Sequence, residues 1–400
     1  MKKITSKKSE TKKTTKNKIT KTNNVKKNKI FVQIASYRDP ELIPTLKSLM
    51  GNAKNPENLV ICIANQYDDI NELNEYRKDD RFKIIDIPYL ESKGACWARS
   101  EIQKRYDNEE YTLQLDSHHR FIKDWDEELI DMINKLKKKG HKKPLLTAYI
   151  SSFNPENDPA ERIQEPWWMT FDRFIPEGAV FFLPATIPDW QNLKEPVPAR
   201  FYSAHFCFTL GQFCLEVPHD PEYYFHGEEI SIAARAYTNG NDLFHPHKVV
   251  AWHEYTRRGR AKQWDDDKQW GKRNENCHSK NRRLFGMDGM DRATDFGVYG
   301  FGKERTLDDY EAYSGLCFAT RGVQQHTLDH KPAPNPTIED PDEYKNSFLN
   351  IFKHCIDIGY DRVPEKDYDF WVVAFHNEND DTMYRRDAEP AEIEQYFEDP

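Results

Sequence analysis

The 400-residue sequence predicts an α/β fold built on a mainly parallel central sheet, with a small α+β extension towards its C-terminal end. Two observations predict it. Short apolar, β-branched runs alternate with amphipathic helical segments over the first 140 residues, the pattern of successive strand–helix–strand units. Hydrophobic residues make up 38% of the chain and aromatics 13%, enough to cover both faces of such a sheet.

Residues 1–29 stand apart as a Lys-rich tail that is expected to be disordered. Residues 1–30 hold twelve lysines and one glutamate, a charge of +11, so with −9 overall the remainder carries −20. So few large apolar groups cannot offset the entropy of ordering. The expected role is solvation rather than binding of nucleic acid or an anionic membrane.

The first strand is expected at Ile30–Ala35. Asp39 and Pro40 then read as the cap and first residue of a helix carrying Leu42, Leu46, Leu49 and Ala53 at helical spacing. Strands are expected at Leu59–Ala64, Phe82–Ile87 and Tyr111–Leu115, and helices at Gly94–Tyr106 and Trp125–Lys138. From Thr147 to Pro218 the chain is rich in Pro and aromatics, so irregular structure is expected with strands near Gly178–Leu183 and Ser203–Leu215. A helix follows from Gly227 to Tyr237, stopped at Gly240, then a short strand at Val249–Trp252. The polar, charge-dense stretch Arg257–Arg283 reads as a mobile loop. Residues 30–320 are expected to form one catalytic domain. Residues 321–400 are expected to be a linker and accessory segment, with a helix near Tyr344–Ile356 and a strand at Phe370–Phe375.

No hydrophobic run reaches the length of a membrane span, and the N-terminus has neither the apolar core of a secretory signal nor the arginines of a transit peptide. Seven scattered cysteines form no CxxC pair, so neither a disulfide framework nor a zinc–cysteine site is expected. A cytoplasmic, reducing compartment fits.

The chemistry concentrates where strands end, since ligands of parallel sheets bind beyond the C-terminal strand ends. Leu113-Gln114-Leu115 leads into Asp116-Ser117-His118, and alternation turns Asp116 and His118 the same way. A carboxylate and an imidazole suit Mn²⁺, with Mg²⁺ the second choice, and such an ion serves a diphosphate leaving group. A solvated strand end is the commoner meaning of the triplet alone. His253, ending a strand, completes the candidate metal set Asp116, His118 and His253; an isolated histidine is more often a satisfied core residue. Glu228 and Glu229 open a helix and are the candidate catalytic carboxylates, against simple compensation of the helix dipole. Ala35, Ser36, Tyr37 and Arg38 after the first strand are candidates for holding a base and ribose. Arg99, Tyr255 and Arg257 are further donor-binding candidates, with Arg257 and Arg258 in a loop suited to closing over a diphosphate. For each of these an ordinary strand-to-helix connection or a solvated basic pair is the plainer alternative.

Together these motifs resemble the glycosyltransferase family that contains the cytoplasmic hydroxyproline α-N-acetylglucosaminyltransferase. The carriers are Ile34-Ala35-Ser36-Tyr37-Arg38-Asp39, Gly94-Ala95-Cys96-Trp97-Ala98-Arg99, Gln114-Leu115-Asp116-Ser117-His118, His226-Gly227-Glu228-Glu229, Trp252-His253-Glu254-Tyr255 and Tyr299–Leu307, spread over residues 30–320. The resemblance implies a GT-A-type fold, a UDP-GlcNAc donor, a divalent metal, a protein hydroxyl acceptor and retention of anomeric configuration. The chain is also similar to the polypeptide GalNAc-transferases, whose Asp-x-His and later His ligate metal; that pattern falls on Asp116, His118 and His253. Two other classes compete. A metal-dependent nucleotide-sugar hydrolase or phosphoesterase would need a site for activated water, often with two metals. A non-catalytic nucleotide-sugar-binding protein would have no use for the site carboxylates.

Overall fold

A computed structural model of the protein describes residues 24–256, 259–292, 294–351, 372–376 and 382–387. The chain divides into two compact units, residues 1–351 and 352–400. In the second unit the described residues form one antiparallel pair, β16 (Val372–His376) with β17 (Thr382–Asp387).

The first unit opens with β1 (Lys26–Tyr37), α1 (Leu42–Asn52), β2 (Leu59–Tyr67), β3 (Phe82–Pro88), α2 (Ala95–Gln103) and β4 (Glu109–Asp116). Ile30, Val32 and Ile34 of β1 pack with Leu42, Leu46 and Leu49 of α1 on one face of the sheet. Phe31 packs with Ala98 and Ile102 of α2 on the other. Burial on both faces is why β1, β2 and β4 read as near-continuous apolar runs. Next come β5 (His119–Phe121), α3 (Trp125–Lys138) and β6 (Pro144–Thr147). Helix α3 has the expected bounds, for three reasons. Trp125, Leu129, Met132, Ile133 and Leu136 form its buried stripe, three acids fill its first turn, and three lysines fill its last.

The remaining elements are β7 (Trp167–Phe174), β8 (Val180–Thr186), β9 (Val197–Pro198), β10 (Phe206–Leu210), α4 (Phe213–Glu216), α5 (Glu228–Thr238), β11 (Asp242–His245), β12 (Ala251–His253), α6 (Gln263–Asp266), α7 (Trp270–Phe285), α8 (Leu307–Ser314), β13 (Leu316–Cys317), β14 (Gly322–Gln324), α9 (Gln325–Leu328), α10 (Pro341–Asn346) and β15 (Phe348–Asn350). The central sheet has the order β3-β2-β1-β4-β10-β6-β11-β9. Four of its seven neighbouring pairs are parallel, so the sheet is mainly parallel as expected. Because α1 and α2 cover opposite faces, the strand order reverses between the parallel neighbours β1 and β4. A crevice opens beyond the C-terminal ends of strands at such a point. The register sets Ala35 directly beside Asp116 there.

The structure corrects the expected boundaries in several places. The first strand begins at Lys26, inside the expected tail. Lys26 pairs with Glu109 in the ladder and its Nζ lies 2.6 Å from Asp107; residues 1–23 lie outside the described residues. Asp39 is not the cap of α1, which starts after Glu41. Arg257–Arg283 is not a loop throughout, since α6 and α7 occupy much of it. The buried stripe of α7 is Cys277, His278, Asn281, Leu284 and Phe285, a helical spacing in which two of the five side chains are polar. The expected strand Ser203–Leu215 is β10 followed by α4. Strand β7, unanticipated, pairs with β8 as a separate two-stranded sheet. Gly178 closes that pair with φ +103°, where a Cβ would come within 2.3 Å of Arg282. The helix expected at Tyr344–Ile356 is the shorter α10 followed by β15, with 352–356 outside the described residues. The expected strand Phe370–Phe375 corresponds to β16, with 370 and 371 outside them. Among the described residues no helix is long and apolar enough to cross a membrane.

Candidate active site

Asp116 ends β4, and the chain turns straight into β5. Strand β12 pairs antiparallel with β5 and sets His253 opposite His119, next to His118. Two three-residue strands thus bring together groups 137 positions apart in sequence. One ligand atom from each of Asp116, His118 and His253 lies within 4.8 Å of the others. Asp116 Oδ2 is 3.5 Å from His253 Nε2 and 3.7 Å from His118 Nε2.

The surroundings prepare these groups as ligands. His118 Nδ1 lies 2.7 Å from Asp39 Oδ2, which leaves Nε2 turned to the site, the arrangement that orients a metal-binding imidazole. Asp39 also accepts from the Ser117 hydroxyl and the Glu41 N–H. Burial raises its pKa, but the His118 and Ser117 contacts outweigh burial and hold it well below the usual carboxylate range. Burial holds His253 well below the usual histidine range, so its ring is neutral. Both of its nitrogens lack a hydrogen-bond partner among the described residues, although the side chain is 7% exposed. Orphaned donor atoms beside an ionised carboxylate fit a divalent cation. Asp39→Asn is expected to weaken Mn²⁺ binding about 10- to 100-fold, the usual cost of losing a carboxylate behind a ligating histidine. Titration calorimetry with Mn²⁺ checks this.

Arg99, a donor-binding candidate, lines the larger cleft and pairs with two carboxylates. Its Nη1 donates to both oxygens of Glu228, at 2.8 and 3.0 Å, and its Nη2 to Asp116 Oδ1 at 2.6 Å. Burial would raise the pKa of Glu228, but the Arg99 charge and the His219 contact outweigh burial and bring it down to about 2.

Glu229, the next residue, has a different environment. Its Oε2 accepts from the Tyr149 hydroxyl at 2.6 Å and its Oε1 from the Ala204 N–H at 2.9 Å. Burial, the dominant influence, pushes its pKa up to about 7. An acid whose folded pKa is raised binds its proton more tightly when folded, so its share of stability is greatest below pH 4.5 and is lost as pH rises towards 7. Glu229→Gln is therefore expected to flatten wild-type stability between pH 5 and 8 and to be the more stable protein above pH 7, by up to ~3 kcal/mol. Urea unfolding across that range checks this.

Two clefts meet at Asp116. The smaller, about 150 Å³, is lined by Ala35, Tyr37, Asp39, His118 and Arg260. The larger, about 360 Å³, is lined by Arg99, Tyr149, Glu228, Glu229, His253 and Tyr255. Ser36 is buried and lines neither cleft, and its carbonyl accepts from Gln66. Arg38 reaches away to Asp68 and Asp266. Arg257 and Arg258 lie outside the described residues. The chain that follows crosses the smaller cleft. Arg260 pairs with Asp39 and Glu254, Gln263 donates to the Ser92 carbonyl, and Asp266 accepts from the Tyr37 hydroxyl.

Sequence reasoning did not single out Tyr149, His205 or His219, and read Asp39 as a cap. The Tyr299–Leu307 motif has a supporting place. The backbone N–H groups of Glu304 and Arg305 donate to the Thr238 carbonyl at the end of α5. A Cβ at Gly302 would lie 2.4 Å from that oxygen.

Among solved structures the chain is similar to GalNAc-T7 with UDP, GalNAc and Mn²⁺: 14% identity over 70% of this chain and 56% of that one, TM-score 0.49. It is also similar to TarS residues 1–349 of S. aureus in complex with UDP-GlcNAc: 14% identity over 60% of this chain and 61% of that one, TM-score 0.38. The chain thus spans just over half the length of the GalNAc-T7 chain. No curated protein matches. The family described as Glycosyltransferase (GlcNAc) matches over residues 29–75 and 69–320, more than half of the sequence and all of the site described above. This chain belongs to the GlcNAc glycosyltransferase family.

Proposed function

We infer that this chain transfers N-acetylglucosamine from UDP-GlcNAc to a hydroxyl of a protein or peptide, with retention of configuration, and that it does so in the cytoplasm. The observation that carries the reading is the convergence of Asp116, His118 and His253 within 4.8 Å at the wall shared by two clefts. These three residues would hold a divalent ion, Mn²⁺ before Mg²⁺, which when bound supplies positive charge to the leaving diphosphate.

The protein's own side chains supply position and charge. The uridine diphosphate takes the smaller cleft, beside Ala35 and Tyr37, under the segment 259–267, which excludes water. The sugar and the acceptor take the larger cleft, where Glu228 and Glu229 receive hydroxyl groups. Retention by front-face attack lets the departing phosphate oxygen collect the acceptor proton, so no strong base is required and the work is positioning.

The test is a donor panel of UDP-GlcNAc, UDP-GalNAc, UDP-glucose and UDP-galactose with Mn²⁺ and peptides bearing hydroxyproline, serine or threonine. UDP release and peptide mass are both read. A peptide gaining one N-acetylglucosamine is the expected result. Release of UDP without peptide gain indicates a hydrolase, and binding without release a non-catalytic protein.

A further inference from the structure

A metal-binding histidine is ordinarily held by a hydrogen bond from its second ring nitrogen to a carboxylate or carbonyl. His118 follows that rule through Asp39, and His253 does not. Its Nε2 is the nitrogen nearest Asp116, and neither that atom nor Nδ1 has a hydrogen-bond partner among the described residues. Something else must fix the plane of the ring.

The neighbour best placed to do so is His205, just before β10. The two rings stack, with centroids 4.2 Å apart and planes 19° from parallel. Tyr255 meets the ring edge-on at 4.3 Å and 70°, and His118 and His119 border it at tilted angles, 4.6 and 4.9 Å away, so His205 is the neighbour that stacks face to face. His205 is itself anchored: its Nε2 lies 3.4 Å from the Ile150 N–H nitrogen and 3.2 Å from the Tyr255 hydroxyl, and its ring stacks on Tyr149 at 5.1 Å. It is buried, so its plane is not free to turn. Tyr149 in turn holds Glu229. The stack therefore runs from the carboxylate of the larger cleft to the candidate metal ligand.

We propose that His205 is a positioning residue that holds His253 by ring stacking, in place of the missing hydrogen bond. This rests on the reading of His253 as a ligand. It separates two properties of His205 that substitution can remove one at a time. His205→Phe keeps a flat ring and loses the acceptor nitrogen. His205→Gln keeps a polar group and loses the ring.

The experiment measures Mn²⁺ affinity by calorimetry, with thermal unfolding as the control for folding. If stacking is the device, His205→Phe binds Mn²⁺ within about threefold of wild type, and His205→Gln and His205→Ala bind about tenfold more weakly, the scale of one aromatic pair. Retained affinity in His205→Gln with loss in His205→Phe overturns the proposal in favour of the hydrogen bonds. Equal affinity in all three variants overturns it as well. A wild-type protein that binds no Mn²⁺ overturns the ligand reading itself, and this inference with it.

Discussion

His253→Ala is expected to lower metal-dependent transfer by about 10³-fold, since losing several kcal/mol of charge stabilisation costs a factor of ten per ~1.4 kcal/mol. The fold is expected to survive. Neither nitrogen of His253 bonds to another described group, so its removal strands no buried donor or acceptor. This makes it a cleaner probe than Asp116→Ala, which is also expected to impair transfer but leaves an Arg99 nitrogen without its 2.6 Å partner. The measurements are transfer rate with UDP-GlcNAc, Mn²⁺ affinity and the thermal midpoint. Wild-type transfer and wild-type Mn²⁺ affinity in His253→Ala would remove the three-residue site from consideration.

Much of this site was legible because its residues end elements whose sequence pattern is strong. Strands β1, β2 and β4 are buried on both faces and advertise themselves as apolar runs, and Asp116 sits where one of those runs stops. Other parts were not legible, for identifiable physical reasons. Strands β5 and β12 are three residues each, too short to show a period, yet their pairing is what brings His253 to His118. Helix α7 hides part of its buried face in His278 and Asn281, whose low hydropathy reads as surface. Asp39 followed by Pro40 satisfies a helix-start rule, and nothing local reveals that its carboxylate turns to His118 instead. His205 carries no signal at all, because its partner lies 48 positions away and the contact is a ring face.

Arg99→Ala is expected to destabilise the protein by about 3–5 kcal/mol, the cost of breaking a buried ion pair from one side. Arg99 is buried and bridges Glu228 and Asp116, so its removal leaves two unscreened carboxylates. This effect differs in kind from that of losing a phosphate ligand, which would slow transfer and leave stability alone. The pH dependence tells the two apart. In the wild type the depressed pKa of Glu228, about 2, contributes stability that is present above the ordinary carboxylate pKa and is lost only as pH falls through the folded value. Without Arg99, burial dominates and the carboxylates take up protons at higher pH than in the unfolded chain. The deficit of Arg99→Ala is then largest near pH 7 and narrows as pH is lowered towards 4, where protonation neutralises the stranded charges. Arg99→Lys restores one charge but not the fork to both Glu228 oxygens, and is expected to recover stability only in part. Urea unfolding of the three proteins from pH 4 to 8 gives the answer. A deficit in Arg99→Ala that is small and flat with pH, together with weakened UDP binding, would favour a direct donor-binding role for Arg99 over the ion-pair role.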